Sequence, residues 1–133
     1  MYNAGLILEG GGMRGVYTAG VLDAFLDAGI EFSSVYGVSA GSCHACSYLS
    51  KQRGRAFRVN VDYLDDPNYC GAKTFLNYPG KFYAVVTDVE TGAARYLRVR
   101  DLRKQMWMIR SSSSLPLVSK TIVVKGHKLL DGG

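Results

Sequence analysis

Histidine and cysteine are scarce in this chain: His44 and His127 are the only histidines among 133 residues, and Cys43, Cys46 and Cys70 the only cysteines. An odd cysteine count without a secretory signal argues against a disulfide framework, so reduced thiols are expected. Cys43 and Cys46 form a C-x-x-C inside a predicted helix that lacks a second ligand pair nearby, and they read as buried small side chains. No metal or cofactor is expected. Long apolar runs are also missing. None reaches the ~18 residues of a membrane span, and Met1 leads almost directly into "AGLILEGGG" without a basic stretch or cleavage site, which predicts a cytoplasmic protein.

Acidic residues are outnumbered, with 16 Lys and Arg against 11 Asp and Glu and a formal charge of +5. That surplus favours an anionic partner, and a peripheral contact with an anionic membrane surface is one expectation. Its densest stretches are "KQRGRAFR", residues 51–58, and "RVRDLRK", residues 98–104. No nucleic-acid motif accompanies either, so no nucleic-acid binding is expected. With 47% hydrophobic and 20% charged residues, the chain reads as one globular domain rather than a disordered or fibrous one.

What the sequence does contain is an alternation of strands and helices. "AGLILE", residues 4–9, is short and apolar and stops at glycines, as a strand buried on both sides would. From Val16 to Ala28, Ala19, Leu22, Phe25 and Leu26 recur at helical spacing, and Gly29 follows as a cap. "SSVYGVS", residues 33–39, predicts a second strand, and the small residues from Ala40 a helix packed close to the sheet. Two such units in succession argue for a parallel α/β sheet. Residues 58–80 carry the turn signals "DDPN" and "YPG" without a clean period. "KFYAVVTDVETGAARYLRV" predicts a hairpin turning at Glu90 to Gly92, and Asp101 caps a helix reaching Ser111. "TIVVKGHKLLDGG" predicts a last strand pair turning at Lys125 and Gly126.

"EGGGMRG" lies between the first strand and the first helix, and three readings compete for it. Gly10, Gly12 and Gly15 fit the G-x-G-x-x-G dinucleotide pattern. The acidic ribose ligand expected after the second strand is absent, however, since Val38 and Ser39 stand there and Glu31 precedes the strand. A phosphate-binding loop would need a G-K-[ST] that does not follow. The third reading is an anion hole, in which bare backbone amides approach a reacting oxygen beside a helix start.

"GVSAG", Gly37 to Gly41, favours the third. It is a G-x-S-x-G between a strand and a helix, the context in which the pattern makes a nucleophile elbow. Small neighbours at Gly37, Ala40 and Gly41 let the turn close and expose the Ser39 hydroxyl at the carboxyl edge of the sheet. Parallel strands bring the glycine loop to the same edge, so the amides and Ser39 face each other and acyl transfer is expected. A base must follow. His44, five residues on, points roughly 140° away on the helix. His127 shares strand parity with Asp131, which leaves a triad through it open. Asp131, in "LLDGG", is a weak base that works only when held against the hydroxyl with little water present.

These residues resemble the patatin-like phospholipases, whose signature is a G-G-G-x-[RK]-G oxyanion loop, a G-x-S-x-G elbow and a D-G-[GA] motif. "GGGMRG", "GVSAG" and "DGG" match it in order, and "RSSSSLPLVS" is similar to the family's helix before the last motif. The resemblance implies a three-layer α/β sandwich with a mainly parallel central sheet. It implies a Ser39–Asp131 dyad acting on lipid acyl esters. The oxyanion loop would run through Gly10, Gly11, Gly12, Met13, Arg14 and Gly15, with Gly11 and Gly12 donating alongside Gly10 and Met13. Arg14 would be the loop cation. Against the family's length, residues 1–133 read as a single catalytic domain cut short after Asp131 and abbreviated around residues 70–81. A soluble short-chain carboxylesterase and a non-enzymatic nucleotide-binding module are the alternatives.

Overall fold

The computed structural model describes residues 1–61, 75–116, 119, 121–124 and 126–133, with the side chains of 59–61 excluded. The expected "DDPN" turn, Cys70 and Lys125 of the last turn lie outside the described residues. Among the described residues six strands and four helices follow one another: β1 (Tyr2–Leu8), a 3-10 turn (Gly12–Arg14), α1 (Gly15–Asp27), β2 (Phe32–Val38), α2 (Ala40–Leu49), α3 (Arg55–Val61), β3 (Lys81–Asp88), β4 (Ala94–Val99), α4 (Leu102–Ser112), β5 (Ile122–Val124) and β6 (His127–Asp131).

The termini of these elements follow local chemistry. Gly29 adopts φ +63 after α1, which lets its amide reach Leu26 O and that of Ile30 reach Phe25 O. At α4 the Asp101 carboxylate accepts from the Arg103 amide at 3.0 Å, as an N-cap should. Gln105 has non-helical dihedrals, and its Oε1 accepts from the amides of Arg100 and Asp101 at 2.7 and 2.9 Å, so the first turn of α4 is pinned while the helix kinks.

The sheet runs β1-β2-β3-β6-β5, with β4 beside β3. β1, β2 and β3 are parallel, whereas the β3–β4, β3–β6 and β5–β6 pairs are antiparallel. The α/β fold is therefore as expected, with the parallel part confined to the first three strands and a mixed sheet beyond them. Pairing along β3 brings two distant strand ends together. β3 gives one edge to β4 over Phe82–Thr87, and its other edge first to β2, through Val85, and then to β6, from Val86. The carboxyl ends of β2 and β6 thus meet end to end: Val38 faces Val85, and Asp131 faces Val86.

Helices gather on one face. Leu22, Leu49, Leu102 and Ile109 share a core with Val35, Phe82, Ala84 and Val99, the inward positions of the central strands. On the opposite face Tyr36 stacks on Tyr83 with ring centroids 5.1 Å apart, while Ile7 is 76% and Tyr96 61% exposed. The described residues thus build two of the three expected layers. β1 also departs from its expected burial on both sides: it is the edge strand, and only Leu8 in it is fully buried.

Candidate active site

Ser39 sits between β2 and α2 with φ 52 and ψ −126, a conformation that costs a non-glycine residue roughly 1–3 kcal/mol. Surrounding bonds hold it there. Its amide donates to Ser112 Oγ at 3.0 Å, and its carbonyl accepts from the Ser42 amide (3.0 Å), Ser42 Oγ (2.7 Å) and Ser113 Oγ (3.1 Å). The elbow closes only because its flanks lack side chains. A Cβ at Gly41 would stand 2.2 Å from Leu8 O, and one at Gly37 2.5 Å from Ser42 Cα. Both expected elbow glycines are explained by contact with neighbouring backbone.

The glycine loop lies directly against this serine: a Cβ at Gly10 would meet Ser39 Cβ at 2.9 Å. Gly11 and Gly12 adopt φ +142 and +54 and turn the chain into the 3-10 turn. The amides of Arg14 and Gly15 already donate to Gly11 O and Gly12 O. Those of Gly11, Gly12 and Met13 have no hydrogen-bond partner among the described residues. Of the six loop positions expected to form an anion hole, Gly10, Gly11, Gly12 and Arg14 line a cleft of about 620 Å³ together with Ser39 and Asp131. The other two diverge. The Met13 side chain is 61% exposed, and Gly15 packs on the His44 ring so tightly that a Cβ there would lie 2.3 Å from Nε2.

Asp131 reaches the cleft because β6 ends where β2 ends. The residue is buried, its amide donates to Ser114 O at 2.9 Å, and its Oδ1 accepts from the Gly133 amide at 3.0 Å. Oδ2 is buried without a partner among the described residues, and no hydrogen bond joins it to Ser39 Oγ. Gly132 allows the close approach of this strand end, since a Cβ would stand 2.4 Å from Val85 O.

The serines that close α4 supply the frame, and nothing in the sequence pattern had assigned them that work. Ser112 Oγ donates to Val85 O at 2.6 Å while accepting from Ser39, and the neighbouring Ser113 and Ser114 hold the backbones of Ser39 and Asp131. A polar run at the end of an otherwise amphipathic helix was the available signal.

Among the described residues, neither histidine hydrogen-bonds to the Ser39 hydroxyl. His44 is buried and its Nε2 has no partner among the described residues; burial pulls its pKa below the ordinary 6.5. The triad left open through His127 does not form, because His127 Nδ1 lies 3.2 Å from Asp88 Oδ2, where Arg95 also pairs at 2.7 Å. Burial alone would raise the Asp88 pKa, but the Thr91 and Glu90 amides and the Arg95 guanidinium together hold it below the usual carboxylate range. Cys43 is exposed and Cys46 buried, both as reduced thiols, so the expectation of burial holds for one of the pair.

The sequence from residue 6 to residue 108 matches a family model described as patatin-like phospholipase. This chain belongs to the patatin-like phospholipase family. The matched span includes the glycine loop and the elbow and stops before Asp131. Among curated proteins, the patatin-like chain is 42% identical over 59 residues to the uncharacterized protein YjjU of Escherichia coli K12, an alignment covering 44% of the chain and 16% of that protein. It is 30% identical over 105 residues to lysophospholipase NTE1 of the yeast Meyerozyma guilliermondii, covering 79% of the chain and 6% of that protein. The chain thus spans a small part of either relative's length. No helix among its described residues is long and apolar enough to cross a membrane.

Proposed function

We propose that this patatin-like domain hydrolyses lipid acyl esters through Ser39 and Asp131. The observation that carries the reading is a buried carboxylate oxygen without a partner, Asp131 Oδ2, in the cleft that also holds the strained Ser39 and the glycine loop. Ser39 Oγ attacks the ester carbonyl as Asp131 takes its proton, and the amides of Gly11, Gly12 and Met13 receive the charge on the carbonyl oxygen. The alcohol departs with that proton, leaving an acyl-serine. Water then attacks with Asp131 as base, and the fatty acid leaves as Ser39 regains its hydrogen. Preorganised donors of this kind are worth about 2.7–4 kcal/mol each when removed.

Membership of the family and the lysophospholipase activity named for the yeast relative support a lipid substrate over a generic ester. Leu115 lines the cleft and is 51% exposed, an apolar edge suited to peripheral contact with a lipid surface. Arg14, in the same cleft, suits an anionic group on the leaving alcohol. Hydrolysis of a nitrophenyl acyl ester and of lysophospholipid micelles tests the reading. Ser39→Ala and Asp131→Asn should each reduce turnover to background, and undiminished turnover in either would refute the dyad.

A further inference from the structure

A second cavity opens from Ser39 on the side away from Asp131. It has a volume of about 370 Å³, runs between α2, α3 and α4, and shares Gly12, Ser39 and Leu115 with the cleft. Its α2 wall is one face of the helix: Ala40, Cys43, His44 and Ser47 stand at i, i+3, i+4 and i+7, with Cys46 at the margin. Small side chains at three of those four positions leave the groove open. Met106 and Ile109 of α4 face it, so most of its length is apolar.

The far end differs in kind. There Arg55, at the start of α3, donates from a guanidinium nitrogen to Ser47 Oγ at 2.9 Å, and both residues line the cavity. From Ser39 to Ser47 the helix advances roughly 12 Å at 1.5 Å per residue. A saturated chain extends roughly 1.2 Å per bond, so about ten carbons bring an acyl tip to that polar wall. Each methylene added before the wall replaces water by apolar contact; each one after it presses hydrocarbon on a guanidinium and strips its solvation.

We infer that this cavity measures the acyl chain, with Ser47 and Arg55 as a polar stop that selects medium-length acyl groups. The inference rests on the hydrolase reading of Ser39 and specifies which acyl esters it takes.

The test is kcat/KM for nitrophenyl esters from acetyl to palmitoyl, with Ser39 labelling by a fluorophosphonate run in parallel. For the unaltered chain the value should rise up to about fourfold per methylene to an optimum near ten carbons, then fall. Arg55→Met keeps the stem and removes the charge, and should move the optimum to longer chains. Ser47→Ala, which removes one hydrogen bond from the guanidinium and the hydroxyl from the wall, should move it the same way and guards against misfolding of the first variant. Cys43→Phe, near the mouth, should restrict turnover to the shortest esters. A profile flat with chain length, or one whose optimum stays in place in both Arg55→Met and Ser47→Ala, overturns the chain-length role while leaving the hydrolase intact. If no ester of any length is turned over and Ser39 is not labelled, the hydrolase reading itself fails, and this inference with it.

Discussion

Ser39 is the residue whose geometry explains most of its neighbours. Its positive φ is a cost that the hydrogen bond it donates to Ser112 and those it accepts from Ser42 and Ser113 offset, and Gly37 and Gly41 are required because the resulting turn presses on backbone. Two expected outcomes belong here. Ser112→Ala strips partners from the Ser39 amide and the Val85 carbonyl, both in the interior of the fold, and should cost about 1–3 kcal/mol in urea unfolding along with a fall in kcat. Gly41→Ala asks for a methyl 2.2 Å from Leu8 O and should destabilise by about 3 kcal/mol, because the atoms it meets are Leu8 and Glu9 backbone, which has little room to relax. The glycine and serine motifs were legible in sequence because their residue types are dictated by contact with backbone. Ser112 was not, since a serine at a helix end carries no mark of what it will reach across the fold.

The element that assembles the site is α4, whose last turn fastens the elbow on one side and β6 on the other. Asp101 sets where that helix begins. Asp101→Ala removes the cap on Arg103 and should lower stability by about 1 kcal/mol, measured as a reduced denaturant midpoint with an unchanged slope. Strand and helix positions up to Leu49, the Lys81–Val99 hairpin and the Asp101 cap followed from periodicity and turn residues alone. Two features did not. β1 is apolar enough to suit either a central or an edge strand, and its place depends on pairing with β2 only. The end-to-end meeting of β2 and β6 on one edge of β3 depends on long-range register, which no local pattern encodes.

Across the whole molecule, stability should respond to acid through His44. His44 is 2% exposed and its ring abuts Gly15, so burial disfavours a proton there. Its folded pKa lies below 6.5, its unfolded one near 6.5; the unfolded chain therefore binds the proton first. Stability should fall as pH drops below about 6.5 and keep falling until the folded pKa is passed. In His44→Gln the loss between pH 7 and pH 5, followed by urea midpoint, should be smaller than in the unaltered chain. This coupling was hidden in the sequence, where His44 stood out only for pointing away from the serine.

Hydrolysis by this domain requires Ser39 to be an activated nucleophile in the folded state. The most direct measurement is reaction of the native chain with a fluorophosphonate probe, followed by mass-spectrometric mapping of the adduct. A single adduct on the peptide carrying Ser39, strongly slowed in Asp131→Asn and absent after urea unfolding, is the predicted result. No adduct on the folded chain, or one that forms at the same rate without the Asp131 carboxylate, would contradict it.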